Sequence, residues 1–165
     1  MNTDGHVVGV FKDGMAADMA ISQMSNVGIS PSNISLLVNE NGRNHHFKID
    51  ENKSKTAEGA GYGAVLGGLA AGLTAAAAGI VSVTVPGAIF IAGPLAVSMA
   101  AGAAGAAVGG LTGALIGVGI PEDEVKLVER ELGDGSMLVA AHGLTDAQKK
   151  TATESMKSSG AIRVH

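Results

Sequence analysis

With no cysteine in the chain, its five histidines are the side chains best suited to ligating a metal or moving a proton. His6 and His165 lie near opposite ends of the sequence, each at an end of a stretch that reads as a strand. Antiparallel pairing of those strands brings them towards one another. Two imidazoles without a third ligand or an orienting carboxylate make a poor metal site, so no metal ligand is assigned. His45 and His46 are adjacent and point to opposite faces if on a strand; the polar run around them, ENGRNHHFKIDENKSKT, reads as an exposed loop or weak hairpin. The acidic run Glu122, Asp123, Glu124 lacks the alternating oxygen ligands, central glycine and distant glutamate of a calcium loop, and fits the first turn of a helix better. GAGYGAVLGG has the look of a phosphate-cradling loop, but no Gly-Lys-Ser/Thr ending and no preceding apolar strand. No Gly-x-Ser-x-Gly elbow occurs, and Met15, Met19 and Met24 lie within one helix, where core packing is expected rather than copper or haem ligation. No catalytic residue, cofactor site or metal site follows, and the chain is read as non-enzymatic.

Charge divides the sequence more sharply than any motif. Of 11 Lys/Arg and 15 Asp/Glu, none lies between residues 59 and 121, and the net charge is −4. Without a concentrated basic face a nucleic-acid partner is not expected. The absence of cysteine permits a reducing compartment, and the N-terminal MNTDGHVVGVFKDG has no basic region followed by a long apolar run, so no signal peptide is predicted.

The charged flanks carry helix and strand periodicities. In the first, HVVGVF reads as a strand and Asp13-Gly14 as a helix start. Ala17, Ala20, Ile21, Met24 and Val27 then share a face, and Gly28 ends the helix. NISLLVNE follows as a strand with Ile34, Leu36 and Val38 on one side. In the second flank, Pro121 opens a helix with the stripe Val125, Val128, Leu132. SMLVAAH is a strand with the unbroken apolar run of a central position, Thr145 and Gln148 make a capping box, and Gly160 releases the last helix into AIRVH. The expected fold class is α+β: a ferredoxin-like βαβ-βαβ sandwich with helices on one face, strand order 4-1-3-2, split by a long hydrophobic α-helical hairpin.

In that neutral insert, Gly59, Gly63, Gly67, Ala71, Ala75 and Gly79 recur every fourth position, as do Ala101, Gly105, Gly109, Gly113 and Gly117. On helices these form files along which two backbones approach closely, a glycine zipper. Glycine costs about 1 kcal/mol against alanine in a hydrated helix interior, so such helices imply surroundings with little water. Helices over 59–81 and 95–119 are predicted, broken by Pro86-Gly87 and Gly93-Pro94. The connection between them, with Val83, Val85, Ile89, Phe90 and Ile91, is expected as an apolar tip that never reaches water. Domain boundaries are placed at 1–58, 59–120 and 121–165.

The passage GALIGVGIPEDEVKLVERELGDGSMLVAAH and the architecture together resemble the bacterial general-stress-protein family, in which a Gly/Ala-rich hydrophobic insert interrupts a ferredoxin-like domain. Ile120, Pro121, Glu122, Asp123 and Glu124 match its Ile-Pro-acidic helix start, and Leu138, Val139, Ala140, Ala141 and His142 its following strand. Leu127 and Val128 stand where family helices often have tyrosines. The resemblance implies stress induction without a defined chemistry and supplies no catalytic residue. Joined to the zipper files, it predicts a cytoplasmic head on a protein that self-associates, its partners being copies of itself as a large particle, or a lipid bilayer. A ligand- or metal-sensing head anchored by the hairpin is the alternative expectation.

Overall fold

The computed structural model of the chain describes residues 5–39, 89–93, 111–113, 115–117 and 120–165. Strands β1 (Gly5–Phe11), β2 (Ile34–Asn39), β3 (Ile89–Ala92), β4 (Met137–Leu144) and β5 (Arg163–Val164) make one five-stranded sheet in the order β3-β2-β4-β1-β5, every neighbouring pair antiparallel. Helix α1 (Gly14–Asn26) links β1 to β2, and α3 (Asp146–Ser158) links β4 to β5. In each case the two strands run the same way with one strand between them. The chain is thus α+β, and its four flank strands stand in the expected relative order, with β3 added outside β2.

Side-chain parity sorts the core into two layers. Val7, Phe11, Ile34, Leu36, Val38, Met137, Val139 and Ala141 face α1 and α3, where they meet Ala17, Ala20, Ile21, Met24, Ala152 and Met156. The opposite parity, Val8, Val10, Leu37, Leu138 and Ala140, meets Val125, Val128 and Leu132 of helix α2 (Glu122–Gly133), together with Leu115 and Ile120. The expectation of helices on one face only is therefore corrected. An amphipathic helix specifies that it buries a stripe and leaves open which layer it buries it against. Both strand parities of β1 and β4 are apolar because both faces of the sheet are covered.

Local chemistry explains the element ends. The Asp13 carboxylate accepts from Met15 N at 3.3 Å at the start of α1. At the start of α3, Thr145 and Gln148 exchange bonds, with Gln148 N to Thr145 Oγ1 at 3.3 Å and Thr145 N to Gln148 Oε1 at 3.1 Å. Helix α2 places Glu122, Asp123 and Glu124 in its first turn, as expected, with Pro121 one position earlier as its cap. At the end of α1, Ile29 N reaches back to Met24 O at 3.0 Å; Val27, expected on the buried stripe, is the C-cap and is half exposed.

One described stretch of the insert differs from expectation. Ile89, Phe90 and Ile91, placed at an apolar tip, are instead on β3, where Leu37 pairs with Ile91, Val38 with Phe90 and Asn39 with Ile89. Gly93 follows at φ +92 and is buried against β2: a Cβ there would collide with Ile34 O and lie 2.8 Å from Ser35 Cα. Only glycine allows the chain this crossing at the strand edge. Among the described residues no helix is long and apolar enough to cross a membrane.

Candidate functional site

Two polar clusters interrupt the sheet face covered by α2. At one end His142 of β4 has Nε2 3.0 Å from the buried Ser35 hydroxyl of β2. Its pKa is lowered from the usual 6.5, first by burial and then by the charge of His6 on the neighbouring β1. The strand register shifts between Gly5, paired with Leu144, and Val7, paired with Ala141, so His6 lies opposite the stretch of β4 that holds His142. His165, expected near His6, is bound instead to Val8 by two backbone hydrogen bonds of 2.8 and 2.9 Å. Sequence reasoning missed the His6–His142–Ser35 row because it depends on the β1–β4 register and its bulge. The parity that puts His142 on the face of Leu138 and Ala140 was its only sequence signal.

The second cluster ties the edge strand to α2. Arg163 of β5 donates from Nε to Glu131 Oε1 at 3.1 Å and its Nη1 lies 3.7 Å from Glu124 Oε2. His165 Nε2 sits 3.3 Å from the same Glu124 oxygen, in ion-pair range but without hydrogen-bond alignment, and Glu131 Oε2 is buried with no hydrogen-bond partner. Glu131 is 16% exposed and Arg163 33%, so the guanidinium both neutralises a mostly buried carboxylate and pins a two-residue strand. Among the described residues no group of three or more His, Asp or Glu side chains is arranged to hold a metal.

Of the predicted packing files, Gly59, Gly63, Gly67, Ala71, Ala75, Gly79, Ala101, Gly105 and Gly109 lie outside the described residues, as do Val83 and Val85. Gly113 and Gly117 are described, within the helical residues 111–113 and 115–117. Leu111 and Leu115, one turn apart, turn inward: Leu115 is fully buried in the α2-side core and Leu111 packs against it. The Thr112 hydroxyl donates to Glu129 Oε1 of α2 at 2.5 Å, and Ile120 N closes on Leu115 O at 3.0 Å. At 3.6 residues per turn, Gly113 and Gly117 then lie roughly half a turn away from the two leucines. A Cβ at Gly117 would meet nothing within 4 Å among the described residues, and the neighbouring Ile116 is 40% exposed. The last member of the second file, Gly117, is thus exposed on the side of this segment that faces away from the head, whereas Gly113 is half-buried.

Comparison with protein-family models, with curated proteins and with solved structures gives no match to this chain.

Proposed function

We propose that this chain is a non-enzymatic stress-response protein of the kind the general-stress-protein resemblance implies: a cytoplasmic ferredoxin-like head whose glycine-zipper insert associates with the inserts of other copies. The observation that carries the reading is the orientation at Leu111–Gly117. Leucines hold the end of the second file to the head while Gly117 remains exposed on its outward side. Further support comes from the head itself. Among the described residues α1 and α3 pack on one face of the sheet and α2 on the other, and residues 59–88 and 94–110 carry no charge. Small residues four apart suit helix contact at close range, where dispersion replaces side-chain interdigitation. The test is native mass measurement of the full chain beside Gly67→Leu and Gly109→Leu. The expected result is a homo-oligomer that shrinks in both variants; a monomer in plain buffer, or an assembly unchanged by both, defeats the proposal.

A sensing head is the second reading, and the His6–His142 juxtaposition favours it. Zinc titration of the full chain against His6→Ala and His142→Ala tests it, with equal uptake by all three counting against a site there.

A further inference from the structure

We infer that Met15 and Met19 form a site of reversible sulfur oxidation on the outer face of α1, open to peroxide while the core methionines are closed to it. The chain holds seven methionines and no cysteine, so thioethers are its only sulfur groups. Among the described residues Met24, Met137 and Met156 are fully buried, whereas Met15 is 55% and Met19 53% exposed. Of the three methionines expected to pack together from one helix, only Met24 does so.

Helical geometry accounts for the split. α1 turns Ala17, Ala20, Ile21 and Met24 to the sheet, and its flank towards α3 is marked by Gln23, which accepts from the Ser158 hydroxyl at 3.1 Å. At 3.6 residues per turn, Met15 and Met19 stand opposite the buried stripe, on a ridge continued by the exposed Ser22 and Asn26. Side chains four apart on a helix are neighbours, with ~5–6 Å between their β-carbons, so the two thioethers share one patch of surface.

The other three sulfurs are closed off by packing. Met24 and Met137 lie in the layer between the sheet and its two covering helices. Met156 of α3 presses its sulfur onto β1, where a Cβ at Gly9 would come within 2.8 Å of it. An oxygen added to any of them would bring a polar group into apolar packing, and peroxide reaches them only when the fold opens. For a protein of ordinary stability about one molecule in a thousand or fewer is open at a time. The pair on α1 meets the oxidant in every molecule.

The reaction needs only hydrogen peroxide. A sulfur lone pair takes one peroxide oxygen, the O–O bond breaks as the S–O bond forms, and a proton shift releases water; sulfur loses the two electrons that the peroxide gains. Reduction by a sulfoxide reductase reverses it: two thiols supply two electrons and two protons, become a disulfide, and the oxygen leaves as water. Because both sulfurs stand clear of the core, the change turns an apolar patch of α1 polar and leaves the packing beneath it intact.

The test treats the full chain with hydrogen peroxide, natively and in concentrated urea, and assigns each added oxygen by peptide mass mapping over time. In the native chain Met15 and Met19 should react within about threefold of their rates in urea, and Met24, Met137 and Met156 at least ~100-fold more slowly than theirs. Protection of either exposed methionine to the extent of the core, or core oxidation at the rate of the pair, overturns the inference. The chain oxidised at both positions should keep its urea midpoint, and a lowered midpoint contradicts the intact core. Methionine sulfoxide reductases A and B, one for each epimer, should together restore both residues without denaturant. Sulfoxides at 15 and 19 that are reduced only after unfolding remove the reversibility.

Discussion

The α-carbon of Gly93 is held so close to the carbonyl of Ile34 that no β-carbon fits between them, and its backbone sits at φ +92. This contact sets where the insert touches the sheet. Gly93→Ala combines left-handed strain with a backbone collision, and we expect a loss of about 2–3 kcal/mol in urea unfolding of the full chain. A loss under half of that would mean the strand edge is not bound in this way.

Leu115 and Ile116 make a paired test of the segment before α2. Leu115 is fully buried and Ile116 is 40% exposed. Leu115→Ala should cost about 2–4 kcal/mol, whereas Ile116→Ala should stay within about 0.5 kcal/mol. Equal effects in denaturant titration would show that the inward face is misassigned.

Stability should fall on mild acidification through His142. Burial and the nearby His6 lower its pKa in the folded protein, so the unfolded chain binds the proton more readily. Its contribution is then fully present above about pH 6.5 and is lost as the pH falls through the lower folded value. His142→Gln should flatten the urea midpoint between pH 7.5 and 5, and His6→Gln should flatten it less, because charge is the smaller of the two causes. An unchanged slope in His142→Gln contradicts the assignment.

Arg163 shields Glu131, whose second oxygen is already buried without a partner. Arg163→Met alone leaves that carboxylate uncompensated, an expected cost of about 1–2 kcal/mol given the partial exposure of the pair. Glu131→Met in the same chain should restore most of it. A double-mutant cycle with coupling below about 0.3 kcal/mol argues that the contact is incidental.

Much of the head is legible in the sequence. Ile34, Leu36 and Val38 alternate with Ser35, Leu37 and Asn39 because a strand has two sides. Asp13, Thr145 with Gln148, and the glycines after α1 and α3 mark helix ends by hydrogen-bond chemistry that is local in sequence. What was missed is non-local. Val125, Val128 and Leu132 announce a buried stripe but not its layer, although the apolar residues at both parities of β1 and β4 already called for a second cover. Ile89 to Ala92 is four apolar residues in an uncharged region, too short for its periodicity to tell strand from tip; pairing with β2 across a long separation made it a strand. The His6–His142–Ser35 row needed a register that no propensity supplies.

The central strand of the sheet, β4, begins at Met137, whereas its neighbour β2 ends at Asn39, and the whole insert lies between them. A ribosome adding ~5–20 residues per second needs roughly 5–20 s to cover that distance. Throughout that interval the nascent chain holds β1, α1 and β2 without the strand that joins β1 to β2, while glycine- and alanine-rich sequence emerges beside them. The sheet can therefore close only after the whole insert has left the ribosome, so its closing step is the entry of β4 between two strands made long before it.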